Sequence, residues 1–343
     1  MLEETYAAGN AAWHQRRISD YTVTSIKYRP GKKHVLRYDP RDPVTGAAVF
    51  AKLYICKEEA RAFRVAQGTA DWLAECGQGV NSLRPLGYVA QDAVVLYPQL
   101  CGVPLSDYTR RLNGVAARCL HQAGVAVRAL HHLPVALAGR PERHDFAAEI
   151  RWIVQKSHHI PVLLPEVGSA IAAVLDRARE LHERLPQEPA TFTHRDLKTE
   201  HIWVASDGLT VMDFDSSRPA DPALDVGYFL ADLQFRHAAW PQAGLEKARE
   251  SFLAGYAPGA PKERLTRARL YEAVKLVKCA VRRVQVFEPD WASRTAGLVE
   301  RAQAVINDLE RILGLPVRIC PRRPLPLGAS VSLTRVQSRR AGT

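Results

Sequence analysis

Two segments rich in charged residues flank a short apolar stretch: Thr193-His194-Arg195-Asp196-Leu197-Lys198-Thr199-Glu200-His201 and Val211-Met212-Asp213-Phe214-Asp215. The stretch between them contains Ile202–Ala205, the turn residues Ser206-Asp207-Gly208, and Leu209–Met212. An Asp-Gly pair between short apolar runs is a strong signal for a β-hairpin. Because the two strands of a hairpin lie side by side, we expect Asp196 and Asp213 to reach one site.

Two carboxylates at one end of a hairpin suit the transfer of a phosphoryl group. One carboxylate can accept the proton of an attacking hydroxyl, while the other holds a metal ion that bridges phosphate oxygens. Mg²⁺ prefers hard oxygen ligands of this kind. The chain has neither a Walker A motif nor a dinucleotide-binding glycine pattern, so the other common nucleotide-binding folds have no support.

The residue pattern changes near residues 97–102: before this point it is typical of strands, and after it of helices. Before this point we predict strands at Tyr21–Tyr28, His34–Tyr38, Ala47–Ile55, Pro85–Val89 and Ala93–Tyr97, with a helix over 57–75. After it we predict helices over 105–132, 164–186, 243–256, 263–286 and 291–313. This order predicts an α+β protein with a small β-rich N-lobe (1–98), a larger helical C-lobe (99–315) and a tail (316–343).

The basic charge of the chain is concentrated in its tail. The net charge is +11, and residues 316–343 contain six arginines and no acidic residue, so the tail contributes +6 and the rest +5. The tail also holds four prolines, so we predict that it is disordered and makes at most weak contacts with anionic partners. The remaining excess does not predict a specific nucleic-acid interface.

The composition and the absence of long apolar runs exclude several classes of protein. Apolar residues make up 47% of the chain and charged residues 24%, which excludes a mostly disordered or fibrous chain. No apolar stretch approaches the ~18 residues that a membrane-spanning helix needs. The first residues include acids instead of the basic region of a secretory signal. We therefore expect a cytoplasmic protein without a membrane span.

The residues around the hairpin resemble the aminoglycoside phosphotransferase and choline kinase group of small-molecule kinases. The shared pattern consists of His194-Arg195-Asp196, Asp213-Phe214-Asp215 and the segment Pro219–Tyr228, which is similar to that group's Gly-Asp-Pro-x-x-Asp motif. Upstream, the matching places hold Val49-Phe50-Ala51-Lys52, the Glu58-Glu59 pair and the segment Leu130–Pro134, in the same order. The resemblance runs from about residue 20 to residue 310 and implies a two-lobed, protein-kinase-like fold.

The resemblance also implies an activity and a set of site residues. It implies a phosphotransferase with an alcohol group as acceptor, a small-molecule substrate, ATP or alternatively GTP as donor, and Mg²⁺ or Mn²⁺. Asp196 would be the catalytic base, Asp213 a metal ligand, and Asp215 a second ligand or a substrate contact. Lys52 would bind the α- and β-phosphates and Glu59 would pair with it. Asp225 would support the backbone of the catalytic segment.

The sequence departs from the group's pattern at two places. His201 stands where the group has an asparagine as the other metal ligand, and an imidazole nitrogen suits Mn²⁺ better than Mg²⁺. The phosphate loop has one glycine, with Lys32 and Lys33 in place of a glycine-rich run, so side-chain cations would replace backbone N–H groups there. The alternative interpretation is a catalytically silent, nucleotide-binding pseudokinase or regulator.

A predicted helix of the C-lobe carries a basic stripe, and we expect most of it to be a solvated helix face with an anionic substrate as the alternative. The chain has no dense acidic run of the kind that binds polycationic aminoglycosides, which is an argument against a role in antibiotic resistance. The basic stripe comprises Arg264, Arg267, Arg269, Lys275, Lys278, Arg282 and Arg283.

Overall fold

The structure is a computed structural model that describes residues 18–42, 46–55, 57–76, 79–139, 146–239, 242–286 and 288–316. The tail that was predicted to be disordered lies outside these ranges from residue 317 onward. Within the described ranges, every helix is too short or too polar to cross a bilayer.

Strands dominate the first part of the chain and helices the second, so the predicted α+β class with two lobes is confirmed. The strands are β1 (Tyr21–Arg29), β2 (Lys33–Pro40), β3 (Val49–Tyr54), β4 (Val80–Ser82), β5 (Gly87–Val89), β6 (Val94–Pro98), β7 (Val103–Pro104), β8 (Thr191–Thr193), β9 (Ile202–Ala205), β10 (Gly208–Val211) and β11 (Arg218–Ala220). The helices are α1 (Glu59–Cys76), α2 (Leu105–Tyr108), α3 (Gly114–His131), α4 (Phe146–Lys156), α5 (Ile160–Leu163), α6 (Pro165–Arg184), α7 (Ala223–Ala239), α8 (Leu245–Tyr256), α9 (Lys262–Arg282) and α10 (Trp291–Ile312).

The N-lobe is an antiparallel sheet of order β1-β2-β3-β6-β5. Strand β3 lies between β2 and β6, where Lys52 pairs in register with Val35 on one side and Val95 on the other. A central strand is covered by neighbours along both edges, so the backbone around Lys52 is fixed on both sides. Helix α1 contacts β4, β5 and β6, and its buried residues Val65 and Leu73 belong to the same core cluster as Val80 of β4.

The predicted hairpin is present as β9 and β10, which pair antiparallel with Ile202 opposite Val211. It belongs to a second sheet of order β4-β10-β9-β7, in which β4 runs parallel to β10. Strand β4 was not predicted, because three residues are too few to show an alternating pattern. Through β4, the hairpin is joined to the segment that follows α1.

The C-lobe differs from the prediction at four places. The helix expected over 105–132 is divided into α2 and α3, because Asn113 begins α3 by accepting hydrogen bonds from the backbone N–H groups of Val115 and Ala116. Helix α4 and the one-turn helix α5 were missed. Helix α7 was also missed, because its first twelve residues are buried on all sides and show no polar face.

Helices α7 and α9 pack against each other at unusually close range, and Gly227 permits this. A β-carbon at position 227 would lie 2.4 Å from the carbonyl oxygen of Ala268 and 2.7 Å from the backbone nitrogen of Glu272. Both atoms belong to the backbone of α9, so they move only if the helix moves. The separation of the two helices is therefore set at this residue.

We expect Gly227→Ala to lower the free energy of unfolding by about 1–3 kcal/mol, because the added methyl group must push α9 away. The matched control is Gly297→Ala in α10, where a β-carbon would meet nothing within 4 Å. In the control, alanine should leave stability unchanged or raise it by up to about 1 kcal/mol. Thermal denaturation of both variants checks the prediction, and equal Tm values for the two would contradict it.

Candidate active site

The candidate site is built where the two charged segments meet at one end of the β9–β10 hairpin. The backbone N–H of Met212 donates to the carbonyl of His201 at 2.9 Å, and the ring Nε2 of His194 donates to the carbonyl of Met212 at 2.9 Å. These bonds place the segment that carries Asp196 directly beside Asp213. His201 Nε2 lies 3.6 Å from Asp213 Oδ2, and the charges of His201 and Asp213 both act on the pKa of Asp196, so the arrangement agrees with the expectation that both carboxylates face one site.

Asp225 holds the first half of the segment that carries Asp196. Its buried carboxylate accepts the backbone N–H groups of His194 at 2.6 Å and Arg195 at 2.8 Å, and His131 Nε2 donates to it at 3.3 Å. Arg195 has a φ of 63°, a left-handed conformation that a non-glycine residue adopts at a cost. The two hydrogen bonds to Asp225 compensate for that cost, and the predicted supporting role of Asp225 is confirmed.

Asp232, two turns farther along α7, holds the second half of the same segment. It accepts the backbone N–H of Thr199 at 3.0 Å and the hydroxyl of Thr199 at 2.8 Å, and Arg283 donates to it at 2.6 Å. Asp232 was not predicted as a functional residue. Its spacing from Asp225 was the available signal, because two acids seven residues apart lie on the same face of a helix.

The carboxylates that follow the hairpin are neutralised by two lysines from the N-lobe sheet. Lys52 Nζ lies 2.7 Å from Asp213 Oδ1 and 2.7 Å from Asp215 Oδ2. Lys33 Nζ lies 2.9 Å from Asp215 Oδ2 and 3.6 Å from Asp213 Oδ1. The Tyr54 hydroxyl donates to Asp215 Oδ1 at 2.8 Å. The structure thus brings Lys33, Lys52, Asp213 and Asp215 together, whereas Lys32 is exposed and shows no ion pair within the described ranges.

Burial and ion pairing shift the pKa values of Lys52 and Asp213 in opposite directions, and the effect of ion pairing is the larger one. Burial alone would lower the pKa of Lys52, but Asp213 and Asp215 outweigh it and hold that pKa well above its usual value. Burial would likewise raise the pKa of Asp213, but Lys52 and other neighbouring charges hold it well below its usual range. Both groups are therefore charged at neutral pH, and the carboxylate is available to a metal ion.

The pair predicted between Lys52 and Glu59 is not formed in this structure. The ammonium of Lys52 is occupied by the two aspartates, and Glu59 Oε2 is buried without a hydrogen bond among the described residues. Helix α1 contacts the site through Arg61 instead, which donates to the carbonyl oxygens of Asp215 and Ser217.

The neighbouring Glu58 is what keeps Arg61 in place. It accepts from Arg61 Nε at 2.7 Å and from Arg218 at 3.0 Å, so one carboxylate joins α1 to β11. Glu58 was considered only as an alternative partner for Lys52. The partners that Glu58 has in the structure, Arg61 and Arg218, were not predicted, because Arg218 lies 160 residues farther along the chain.

His201 is buried beside Asp213 in a form suited to binding a metal ion. Burial lowers the pKa of its ring to about 4, although Asp213 acts in the opposite direction, so the ring is neutral at physiological pH. Its Nδ1 is buried and has no hydrogen-bond partner in the described part of the chain. In the same part, no group of three or more His, Cys, Asp or Glu side chains is arranged to hold a metal by itself. A pair of ligands fits Mg²⁺ or Mn²⁺ when phosphate oxygens and water complete the coordination.

Asp196 projects toward α9 with its side chain 38% exposed. The ammonium of Lys275 lies 3.8 Å from its Oδ1. Burial would raise the pKa of Asp196, but the charges of Lys275, His201 and Lys198 outweigh burial and lower the pKa to about 2. The carboxylate is ionised at neutral pH and partly exposed to solvent, so it is able to accept a hydrogen bond from an incoming hydroxyl.

The expectation that most of the basic stripe is a solvated face is wrong. Arg267 is completely buried, where it donates to Asp221 at 2.8 Å and to Glu188 at 2.5 Å. Several other members also have carboxylate partners within hydrogen-bonding distance. These further pairs are Arg264–Glu188, Arg269–Glu272, Lys278–Glu149 and Arg283–Asp232. Most of the stripe stabilises the packing of α9.

Comparisons with known proteins give matches at the level of the family and of the fold. A sequence model of the phosphotransferase enzyme family (APH) matches residues 44–271. No curated protein sequence matches the chain significantly.

Solved structures share the fold at low sequence identity. A choline/ethanolamine kinase family protein from Mesorhizobium loti is 17% identical with a TM-score of 0.60, and the match covers 90% of this chain and 96% of that one. Spectinomycin phosphotransferase in complex with ADP and spectinomycin is 13% identical, with a TM-score of 0.57 and coverage of 83% and 93%. The GDP complex of an aminoglycoside 2′-phosphotransferase IIIa mutant is 16% identical, with a TM-score of 0.58 and coverage of 82% and 91%.

We expect the support that Asp225 gives to the active-site segment to depend on pH. Burial would raise the pKa of Asp225, but hydrogen bonds from His131 and His194 lower it below its usual value. A carboxyl group whose pKa is lowered by folding stabilises the fold above its unfolded pKa of ~3.9 and loses that contribution as the pH falls through the folded pKa. Asp225→Asn should therefore cost about 1.5–3 kcal/mol at pH 7 and progressively less below about pH 5.

Thermal denaturation of wild type and variant between pH 3 and pH 8 measures this difference. Asp176→Asn is the matched control, because Asp176 is exposed and pairs only with Arg179 on the same helix turn among the described residues. The control should change stability by less than about 1 kcal/mol at every pH. A difference between wild type and Asp225→Asn that is constant with pH would rule out the ionised carboxylate as the source.

Proposed function

The chain belongs to the phosphotransferase enzyme family, and on that premise we propose that it transfers the γ-phosphoryl group of ATP to a hydroxyl of a small molecule. One observation carries the proposal: Asp196 and the Lys52–Asp213 pair meet at the end of one hairpin, beneath a sheet that supplies a second lysine, Lys33. Phosphoryl transfer needs a group that orients the attacking hydroxyl and cations that bind the phosphates, and both are present.

Each residue has a separate part in this proposal. Asp196 orients the acceptor hydroxyl and takes its proton. Lys52 and Lys33 bind the phosphates of the nucleotide, in exchange for the carboxylates that they contact in its absence. Asp213 and His201 are the residues that would hold Mg²⁺ or Mn²⁺. A bound divalent ion neutralises charge on the phosphate oxygens.

Different observations support the choice of the donor nucleotide and the choice of the acceptor. The related structures solved with ADP and with GDP support a purine nucleotide, and we propose ATP as the donor with GTP as the alternative. Spectinomycin and choline appear in the names of related proteins, but Lys275 beside Asp196 is unfavourable for a cationic acceptor. The interpretation as a silent regulator has no support in the comparisons.

The first test is nucleotide binding measured by thermal shift. We expect ATP with Mg²⁺ or Mn²⁺ to stabilise the protein by about 2.7 kcal/mol at 100 times its Kd. Lys52→Met should remove most of this effect, whereas Lys262→Met, an exposed lysine at the start of α9, should not. A panel of ATP, GTP, ADP and GDP with each metal identifies the nucleotide. If no combination raised Tm, the proposed function would be wrong.

The same assay examines His201. An imidazole nitrogen favours Mn²⁺ over Mg²⁺ more than an amide oxygen does. His201→Asn should therefore lower the ratio of ATP stabilisation with Mn²⁺ to that with Mg²⁺. An unchanged ratio would show that His201 is not a metal ligand.

Asp196→Asn tests the catalytic base. We expect kcat to fall by a factor of about 10²–10⁴, since proton transfer by a positioned side chain contributes this much. The Kd of ATP should change little, because Asp196 is assigned to the acceptor. ADP release with an accepted substrate, followed alongside nucleotide binding, separates the two effects. If ATP affinity fell as much as kcat, Asp196 would be a metal ligand instead.

A further inference from the structure

Lys275 is a buried cation that has no hydrogen-bonded carboxylate among the residues that the structure describes. Its side chain is 9% exposed, and the nearest acidic atom among the described residues is Asp196 Oδ1 at 3.8 Å, which is beyond hydrogen-bonding distance. Its ammonium lies 4.0 Å from the centre of the Tyr228 ring, so a cation–π contact is its main compensation. Among the members of the basic stripe, Arg267 shows the contrast, because it is buried and fully paired.

The cations continue outward from Lys275 along one face of α9. Lys278 lies 5.4 Å from the Tyr228 ring and 5.2 Å from the Trp152 ring, and Arg282 lies 6.0 Å from the Trp152 ring. Positions 275, 278 and 282 are three and seven residues apart, so they share a helix face. This row leads from Asp196 to the exposed end of the helix.

One carboxylate, Glu149, balances part of this charge. It accepts from Lys278 at 2.5 Å and from the Tyr228 hydroxyl at 2.7 Å. Burial lowers the pKa of Lys278, and the neighbouring charge of Lys275 lowers it further. Glu149 is thus engaged with Lys278, and the surroundings of Lys275 remain positive.

The position of Lys275 separates it from the cations assigned to the nucleotide. Lys52 and Lys33 come from the N-lobe sheet and contact Asp213 and Asp215. Lys275 comes from the C-lobe and faces Asp196, the residue assigned to the acceptor. A cation next to a base weakens that base, so this lysine does not serve proton transfer by itself.

We propose that the acceptor is an anionic small molecule whose carboxylate or phosphate group binds Lys275 while its hydroxyl meets Asp196. Lys278 and Arg282 extend the positive surface for the rest of that molecule. This inference rests on the proposed function, since it assigns Asp196 to the acceptor. The anion provides the hydrogen-bonding partner that the described part of the chain does not offer Lys275, and the 3.8 Å between Lys275 Nζ and Asp196 Oδ1 sets the reacting hydroxyl close to the charged group.

The first experiment measures binding of four small molecules that all carry a hydroxyl group but differ in charge. Glycerol is neutral, glycerate and glycerol 3-phosphate are anionic, and choline is cationic. Each is titrated by thermal shift into protein saturated with a hydrolysis-resistant ATP analogue and metal, at constant ionic strength, so that the nucleotide site is filled. We expect glycerate or glycerol 3-phosphate to raise Tm, and glycerol and choline to have no effect. Whichever of glycerate and glycerol 3-phosphate raises Tm more shows whether Lys275 prefers a carboxylate or a phosphate group.

Variants at position 275 connect the response to the lysine. Lys275→Met keeps the length of the side chain and should weaken anion binding at least tenfold, while Lys275→Arg should retain it. Lys262→Met, the same change at an exposed site on the same helix, should bind the anions as wild type does. The nucleotide Kd should agree within twofold among all four proteins.

Turnover provides a second readout with ATP and a panel of hydroxylated carboxylates, hydroxylated phosphates and their neutral or cationic counterparts. Anionic acceptors should have the higher kcat/KM, and Lys275→Met should lower it by 10- to 100-fold for these acceptors with the KM of ATP unchanged. The inference is overturned if choline or neutral acceptors are preferred, if no probe binds in a Lys275-dependent manner, or if Lys275→Met loses nucleotide and anion affinity together. Failure of the nucleotide itself to bind would instead refute the proposed function.

Discussion

Two buried carboxylates on one face of α7 hold the backbone from which Asp196 projects. Asp225 accepts the N–H groups of His194 and Arg195, and Asp232 accepts both donors of Thr199. Buried backbone donors need partners, and the N–H groups of His194, Arg195 and Thr199 find theirs in α7. The two aspartates supply those partners, so the direction of Asp196 follows from the position of one helix.

The site is divided into two regions of opposite electrostatic character. On the side of the N-lobe, Lys33 and Lys52 are matched by Asp213 and Asp215, and the charges cancel. In the function proposed above, nucleotide binding on this side is an exchange of partners, in which phosphates replace carboxylates at Lys33 and Lys52. On the side of α9, Lys275 keeps an excess of positive charge beside Asp196. We therefore infer that the first region serves the nucleotide and the second the acceptor.

Local patterns were sufficient to predict the hairpin and the residues at its ends. Asp207-Gly208 identifies the turn, and Asp196 and Asp213 then follow from the chain order. The partners of these residues were less accessible. Lys52 was expected beside Glu59, but it contacts carboxylates 161 and 163 residues away along the chain, and no local pattern reports such a distance.

Elements that are buried on all sides were also difficult to predict from the sequence. Helix α7 lacks a polar face, so its periodicity did not reveal it. The basic stripe on α9 resembled a solvated face, because charge is normally exposed. Its burial depends on Asp221 and Glu188, which come from other parts of the C-lobe. Arg267 is hidden only once those acids are folded around it.

The absence of a β-carbon at Gly227 has a consequence for how this enzyme can diversify. Helices α7 and α9 touch backbone to backbone there, so neither can slide or tilt without a collision. One helix carries the residues that orient Asp196, and the other carries Lys275. With the proposed roles of Asp196 and Lys275, a new acceptor would be accommodated by exchanging side chains along α9 and not by moving the helix. The spacing between these two residues is then a fixed property of the fold, while the chemistry around them can vary.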